Sequence, residues 1–140
     1  MQFLQPTRYT SRLVNSATLW LRLGLGVAMI PHGYAKLTHF AEYQSSFMRF
    51  LGLSDSVSLA LAIGAEFFCS ILLMMGLLTR LVLIPLIITA LVIVIVAHGG
   101  DIAGDGAAGF VFIVGYVTSL LLGSGAYSLD AVLFKGEGIS

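Results

Sequence analysis

The stretch from Leu59 to Leu78 sets the medium in which this chain folds. About twenty mostly apolar residues are enough for a helix to cross the roughly 30 Å hydrocarbon core of a bilayer. Glu66 stands inside that stretch. A carboxylate in hydrocarbon costs several kcal/mol unless it faces a partner or a wet cavity, so an acid at this depth marks a candidate site. The rest of the chain must supply what Glu66 faces.

Composition fits a membrane setting. The 140 residues are 58% hydrophobic and 10% charged, with a mean hydropathy of +0.98, which is incompatible with the solvated surface of a soluble domain. Seven basic and seven acidic residues cancel, leaving no basic patch for nucleic acid. Cys69 is the only cysteine, so disulfides within the chain and paired-thiol chemistry are excluded. No glycine-rich loop opens a helix after a strand, which excludes a dinucleotide fold.

The fold class expected is all-α: an integral membrane four-helix bundle, in one domain over 1–140, with spans at about 13–32, 57–78, 81–98 and 107–123. The first apolar run follows Arg8 and Arg12 but carries Arg22 and shows no cleavage pattern, so it reads as a retained helix, kinked or ended near Pro31. Gly24 and Ala28, four apart, suit a close helix contact. Between the first two spans, Phe40, Tyr43, Phe47, Phe50 and Leu51 recur at helical spacing, which predicts an amphipathic interfacial helix over 37–56. The third span, with Pro85 near its first turn, is rich in Val and Ile. In lipid a lone strand leaves its backbone unbonded, so it too reads as helix. Gly115, Ser119 and Gly123 form a small-residue stripe on the fourth span, and Tyr127 to Phe134 reads as a short capped turn.

Basic residues give the orientation. Arg8, Arg12, Arg80 and Lys135 outnumber Lys36 and Arg49 on the opposite side, which puts both termini in the cytoplasm of a cell with this chain in its inner membrane. On that frame Arg22 lies about 12 Å and Glu66 about 20 Å from the cytoplasmic end, a gap that an arginine side chain spans in large part. His32, Lys36 and His98 lie further out. At about 100° per residue, Arg22, His32 and Lys36 share one face of the first helix. Each has a plain structural reading: an Arg22–Glu66 pair fixing register, interfacial histidines, a snorkelling lysine. Their gathering in one half of the bilayer favours a site.

Leu21-Arg22-Leu23, His32-Gly33 with Lys36, Glu66, Gly76-Leu77-Leu78-Thr79-Arg80, His98, and Gly123, Gly125 with Tyr127-Ser128-Leu129-Asp130 occur in an order and spacing that resembles the DoxX-type family of small four-helix membrane proteins, over nearly the whole length. The resemblance implies a link to redox metabolism, as in the membrane subunit of thiosulfate:quinone oxidoreductases and in partners of soluble sulfur or oxidative-stress enzymes. Nothing in these residues supports thiosulfate as a substrate.

The function expected is a quinone-interacting membrane subunit of an oxidoreductase, taking electrons from a soluble or membrane redox partner. Glu66 and His32 are the expected catalytic residues. Glu66 would relay protons, His32, His98 and Lys36 would donate to the quinone carbonyls, and Arg22 would hold Glu66 ionised or stabilise a quinol anion. Membrane lipid is the surrounding partner, and self-association is left open. Two alternatives stand beside it: a non-enzymatic anchor or assembly factor, and a metal or small-ion site from His32, Glu66, His98 and Asp101.

Overall fold

The computed structural model describes residues 9–135, and among them every regular element is helical. Helix α1 spans Ser11–Thr38, capped by the Thr10 side chain, which accepts from Leu13 N. A five-residue helix α2, Phe40–Gln44, follows. Then come α3 over Asp55–Met75 and α4 over Thr79–Ala97, α5 over Ala107–Leu122 and the short α6 over Leu129–Leu133. Helices α1, α3 and α4 are long and apolar enough to cross a membrane. The sixteen residues of α5 reach about 24 Å, and this helix completes the bundle as its shortest member. Arg8, one of the basic residues counted for the orientation, lies in residues 1–8, outside the described residues.

The four long helices form a ring. α1 packs on α3 and α5, and α4 packs on the same two, so α1 and α4 face each other across a diagonal. One half is filled by Leu25, Met29, Leu73, Val82, Leu83, Leu86 and Tyr116. The other half is lined by Ser58, Ala62, Ala65, Ala97, Ala108 and Gly109 among others, and these small side chains leave it hollow.

Several local expectations are corrected. α1 does not end near Pro31 but runs through it to Thr38. The local cost of an internal proline is offset by contacts on the following turn, where Gly33 abuts α3 and Lys36 reaches Glu66. Gly24 and Ala28 are exposed on the outside of the bundle, and a Cβ at Gly24 would meet nothing within 4 Å. The close approach is made by Gly26 and Gly33 instead. A Cβ at Gly33 would lie 2.6 Å from the Phe67 backbone nitrogen and 2.8 Å from the Glu66 carbonyl carbon. Gly33→Ala is therefore expected to destabilise the protein by about 2 kcal/mol or more, since backbone must move, whereas Gly24→Ala is neutral or stabilising by up to about 1 kcal/mol. Thermal unfolding in detergent compares the two directly, and equal midpoints would contradict this packing.

The interfacial helix expected over 37–56 shrinks to α2. Beyond Gln44 the backbone is irregular, with Leu51 and Gly52 at positive φ. Its polar groups bond to the start of α3: Phe50 N donates to Ser58 Oγ, and Gln44 Nε2 to Ser56 Oγ. Pro85 sits in the second turn of α4, beyond the first turn expected, because the helix begins at Thr79. On α5 the small-residue stripe does pack: a Cβ at Gly115 would meet the Leu25 side chain at 2.5 Å, and Ser119 is fully buried. The capped turn near the carboxyl end is α6, with Ser128 Oγ accepting from Ala131 N.

Candidate functional site

The hollow half of the ring is a cavity of about 590 Å³, within the range of small-molecule sites. All four long helices and the segment after α2 contribute to its wall. Most of the lining is apolar. Its ionisable members are His32 and Lys36 from α1, Glu66 from α3, His98 at the end of α4 and Asp105 before α5.

Glu66 faces Lys36. Lys36 Nζ donates to Glu66 Oε2 at 2.6 Å, with the glutamate side chain 2% and the lysine side chain 17% exposed. Helical side chains lean toward the amino end of their own helix, so Lys36, near the end of α1, leans back into the bundle and meets a carboxylate one helix away. Gly33, one turn earlier, lets the two backbones approach closely enough for that contact.

The same lean, toward the amino end of α1, takes Arg22 away from Glu66. Its guanidinium is fully buried and donates through Nη1 to Leu73 O and Met74 O at 3.2 and 3.3 Å, and through Nη2 to Tyr127 O at 2.6 Å. The expected Arg22–Glu66 contact is therefore replaced by two separate arrangements, and Arg22 does not line the cavity. Fourteen residues along α1, about 21 Å, separate it from Lys36. Two of its three acceptors are carbonyls at the carboxyl end of α3, where intrahelical partners run out and the helix dipole favours a cation. The adjoining turn is built around it. Gly76 is left-handed at φ 70, Leu77 N closes onto Leu72 O, and a Cβ at Gly76 would strike the Arg22 guanidinium. Asp130 completes this latch, accepting from Leu78 N at 2.7 Å and Thr79 N at 3.0 Å to cap α4.

His98 Nδ1 lies 2.8 Å from Ile93 O. A carbonyl only accepts, so Nδ1 carries the proton and Nε2 is the nitrogen left for a ligand. His32 sits edge-on to Phe112 at 6.5 Å between ring centroids. Asp101 turns away into its loop, accepting from Gly104 N. Among the described residues no three His, Cys, Asp or Glu side chains gather as metal ligands, so the metal reading loses its ligand set.

Two features had no signal in the sequence. Gly64–Cys69 within α3 and Ile93–Ala97 within α4 are π-helical, and both border the cavity. Such wide turns shift the helical face and recur at functional sites; Glu66 lies in the first, and His98 follows the second. Thr89 and Asp105 also line the wall, and residue spacing gave no reason to single them out. Phe47, Met48 and Phe50 reach the cavity from the segment after α2, although no helix carries them.

The DoxX family model matches residues 17–99. The chain belongs to the DoxX family. No curated protein and no solved structure matches it. The match takes in α1 from residue 17 onward, the cavity side chains from His32 to His98 and the α3–α4 turn. Gly123 to Asp130, which close the latch in this DoxX protein, lie beyond it.

Proposed function

We propose that this DoxX membrane protein is the quinone-interacting subunit of an oxidoreductase, with electrons delivered by a partner redox protein. The observation that carries the reading is the combination of an apolar cavity inside a membrane bundle with a buried Lys36–Glu66 pair on its wall. A quinone is a flat apolar ring with two carbonyl oxygens, and it takes up two electrons and two protons to become a quinol. The small residues of the hollow half provide room for the ring. Lys36 donates a hydrogen bond to one carbonyl oxygen, and Glu66, a carboxylate in the resting pair, takes up a proton and passes it on twice per turnover, once for each of the two protons that the reduced ring gains. His98, presenting Nε2 as an acceptor, receives the hydroxyl of the quinol. His32 and Phe112 flank the ring, and the Phe47–Phe50 segment covers the way in from the lipid interface. Arg22 serves the latch and holds the bundle in register. With Arg12, Arg80 and Lys135 at the latch end against Lys36 and Arg49 at the cavity end, the positive-inside rule favours a cytoplasmic latch in an inner-membrane protein.

Purification from the native membrane with its partner, followed by extraction and identification of bound lipid, tests the reading. Bound quinone is expected in the extract. Glu66→Gln is expected to retain it while quinone reduction by the intact complex falls about 100-fold, the scale of a lost proton-transfer group. Absence of quinone from the extract together with unchanged turnover in Glu66→Gln would reject the assignment.

A further inference from the structure

The cavity reaches Glu66 from one end of the bundle, while below Glu66 the core is closed by packed side chains. That closed half nevertheless holds hydroxyls. Ser70, Thr79, Tyr116 and Ser119 are all at most 1% exposed, and among the described residues none of their hydroxyl oxygens has a protein hydrogen-bond partner. Four such groups in the core of one small bundle are costly, since each loses about 1–3 kcal/mol when buried unpaired. A lipid-facing protein has many apolar residues of similar shape to use in their place.

Their arrangement follows the bundle axis. Ser70 is one turn below Glu66 on α3, on the same face and about 6 Å further along. Tyr116 reaches the core from α5, and its hydroxyl comes near that of Ser70 without the geometry of a formed hydrogen bond. Ser119 lies one turn further along α5, toward the latch. Thr79 opens α4 at the latch itself, and its backbone nitrogen is bonded to Asp130, which is only partly buried.

We infer that the buried hydroxyls of Ser70, Tyr116, Ser119 and Thr79 form a water-linked proton track joining Glu66 to the latch end of the bundle. The cavity and the track then meet at Glu66 from opposite sides of the membrane. Polar groups that lack side-chain partners are the ones that ordered waters bridge. A hydroxyl that both donates and accepts passes a proton by taking one on its oxygen as it releases its own, with no net change in the chain. The Arg22 guanidinium beside the latch opposes a free excess proton, as fixed cations do in pores, so the track carries protons slowly enough to serve a relay without collapsing the membrane gradient. This inference rests on the reading of Glu66 as a proton-carrying group and needs no bound quinone.

The test uses the full chain in proteoliposomes containing a pH-sensitive dye, with a potassium diffusion potential imposed by valinomycin. Wild type is expected to take up protons faster than protein-free vesicles. Tyr116→Phe and Ser70→Ala are each expected to reduce the excess flux about tenfold or more, Glu66→Gln to remove it, and Ser70→Thr, which keeps the hydroxyl, to retain it. Thermal unfolding is recorded in parallel, and where one of the two hydroxyl deletions does not fold, the flux of the other decides. Flux in wild type equal to that of empty vesicles, or undiminished flux in folded Tyr116→Phe or Ser70→Ala, overturns the track. A protein that holds no quinone but shows this flux pattern would reject the quinone assignment and leave the track standing.

Discussion

Arg22→Ala is expected to lower the stability of the bundle by about 4 kcal/mol, one of the two largest effects on folding expected of a single substitution here. The carbonyl oxygens of Leu73, Met74 and Tyr127 lose the guanidinium donor at once, and of these Leu73 O keeps Gly76 N, in a site that admits no bulk water because the guanidinium is fully buried. The space it leaves touches the α3–α4 turn and the segment before α6, so both loosen together. Arg22→Lys is expected to recover only part of the loss. An ammonium on a flexible stem does not reproduce the planar fork that reaches two helix-terminal carbonyls and a third on another segment. Unfolding in detergent, followed by circular dichroism, reads the effect. A midpoint for Arg22→Ala within a few degrees of wild type would show that the latch holds without it.

The second large effect concerns the Lys36–Glu66 pair. Lys36→Met is expected to cost about 3–5 kcal/mol, because it leaves a carboxylate that is almost wholly buried without its counter-charge. The double variant Lys36→Met/Glu66→Met removes both charges and is expected to return to within about 1 kcal/mol of wild type, since apolar replacement of a buried pair is often neutral. Under the quinone function proposed above, turnover is expected to be lost in the double variant even though folding is restored. That separation is what distinguishes a chemical role from a structural one. A stable double variant with full turnover would make the pair a register device only.

Both effects concern charges that the sequence placed together and the structure set apart. Arg22, His32 and Lys36 were legible as one face of the first helix, and an acid in the second span had to be paired. The choice of partner was not legible. It depends on the continuation of α1 through Pro31, which local cost alone disfavours, and on the direction in which each side chain leans. Lys36 leans inward to Glu66, and Arg22 leans away to the end of α3. The small-residue signal was similarly ambiguous: Gly24 with Ala28 and Gly26 with Gly33 are equally good candidates by residue type. Only the second pair meets a neighbouring helix.

The sequence by itself determined the medium, the helical class and the family. These follow from quantities that sum along the chain, namely apolar run length, the need to satisfy every backbone group in lipid, and the order of short motifs. Tertiary structure alone decided where the hollow lies, which cation meets Glu66 and where α3 and α4 widen into π turns. Each of these is a relation between residues on different helices, fixed by packing across distances that no local pattern records. Ser58, Ala62, Ala65, Ala97, Ala108 and Gly109 are scattered over three helices, and they become a cavity only because the ring brings them to face one another.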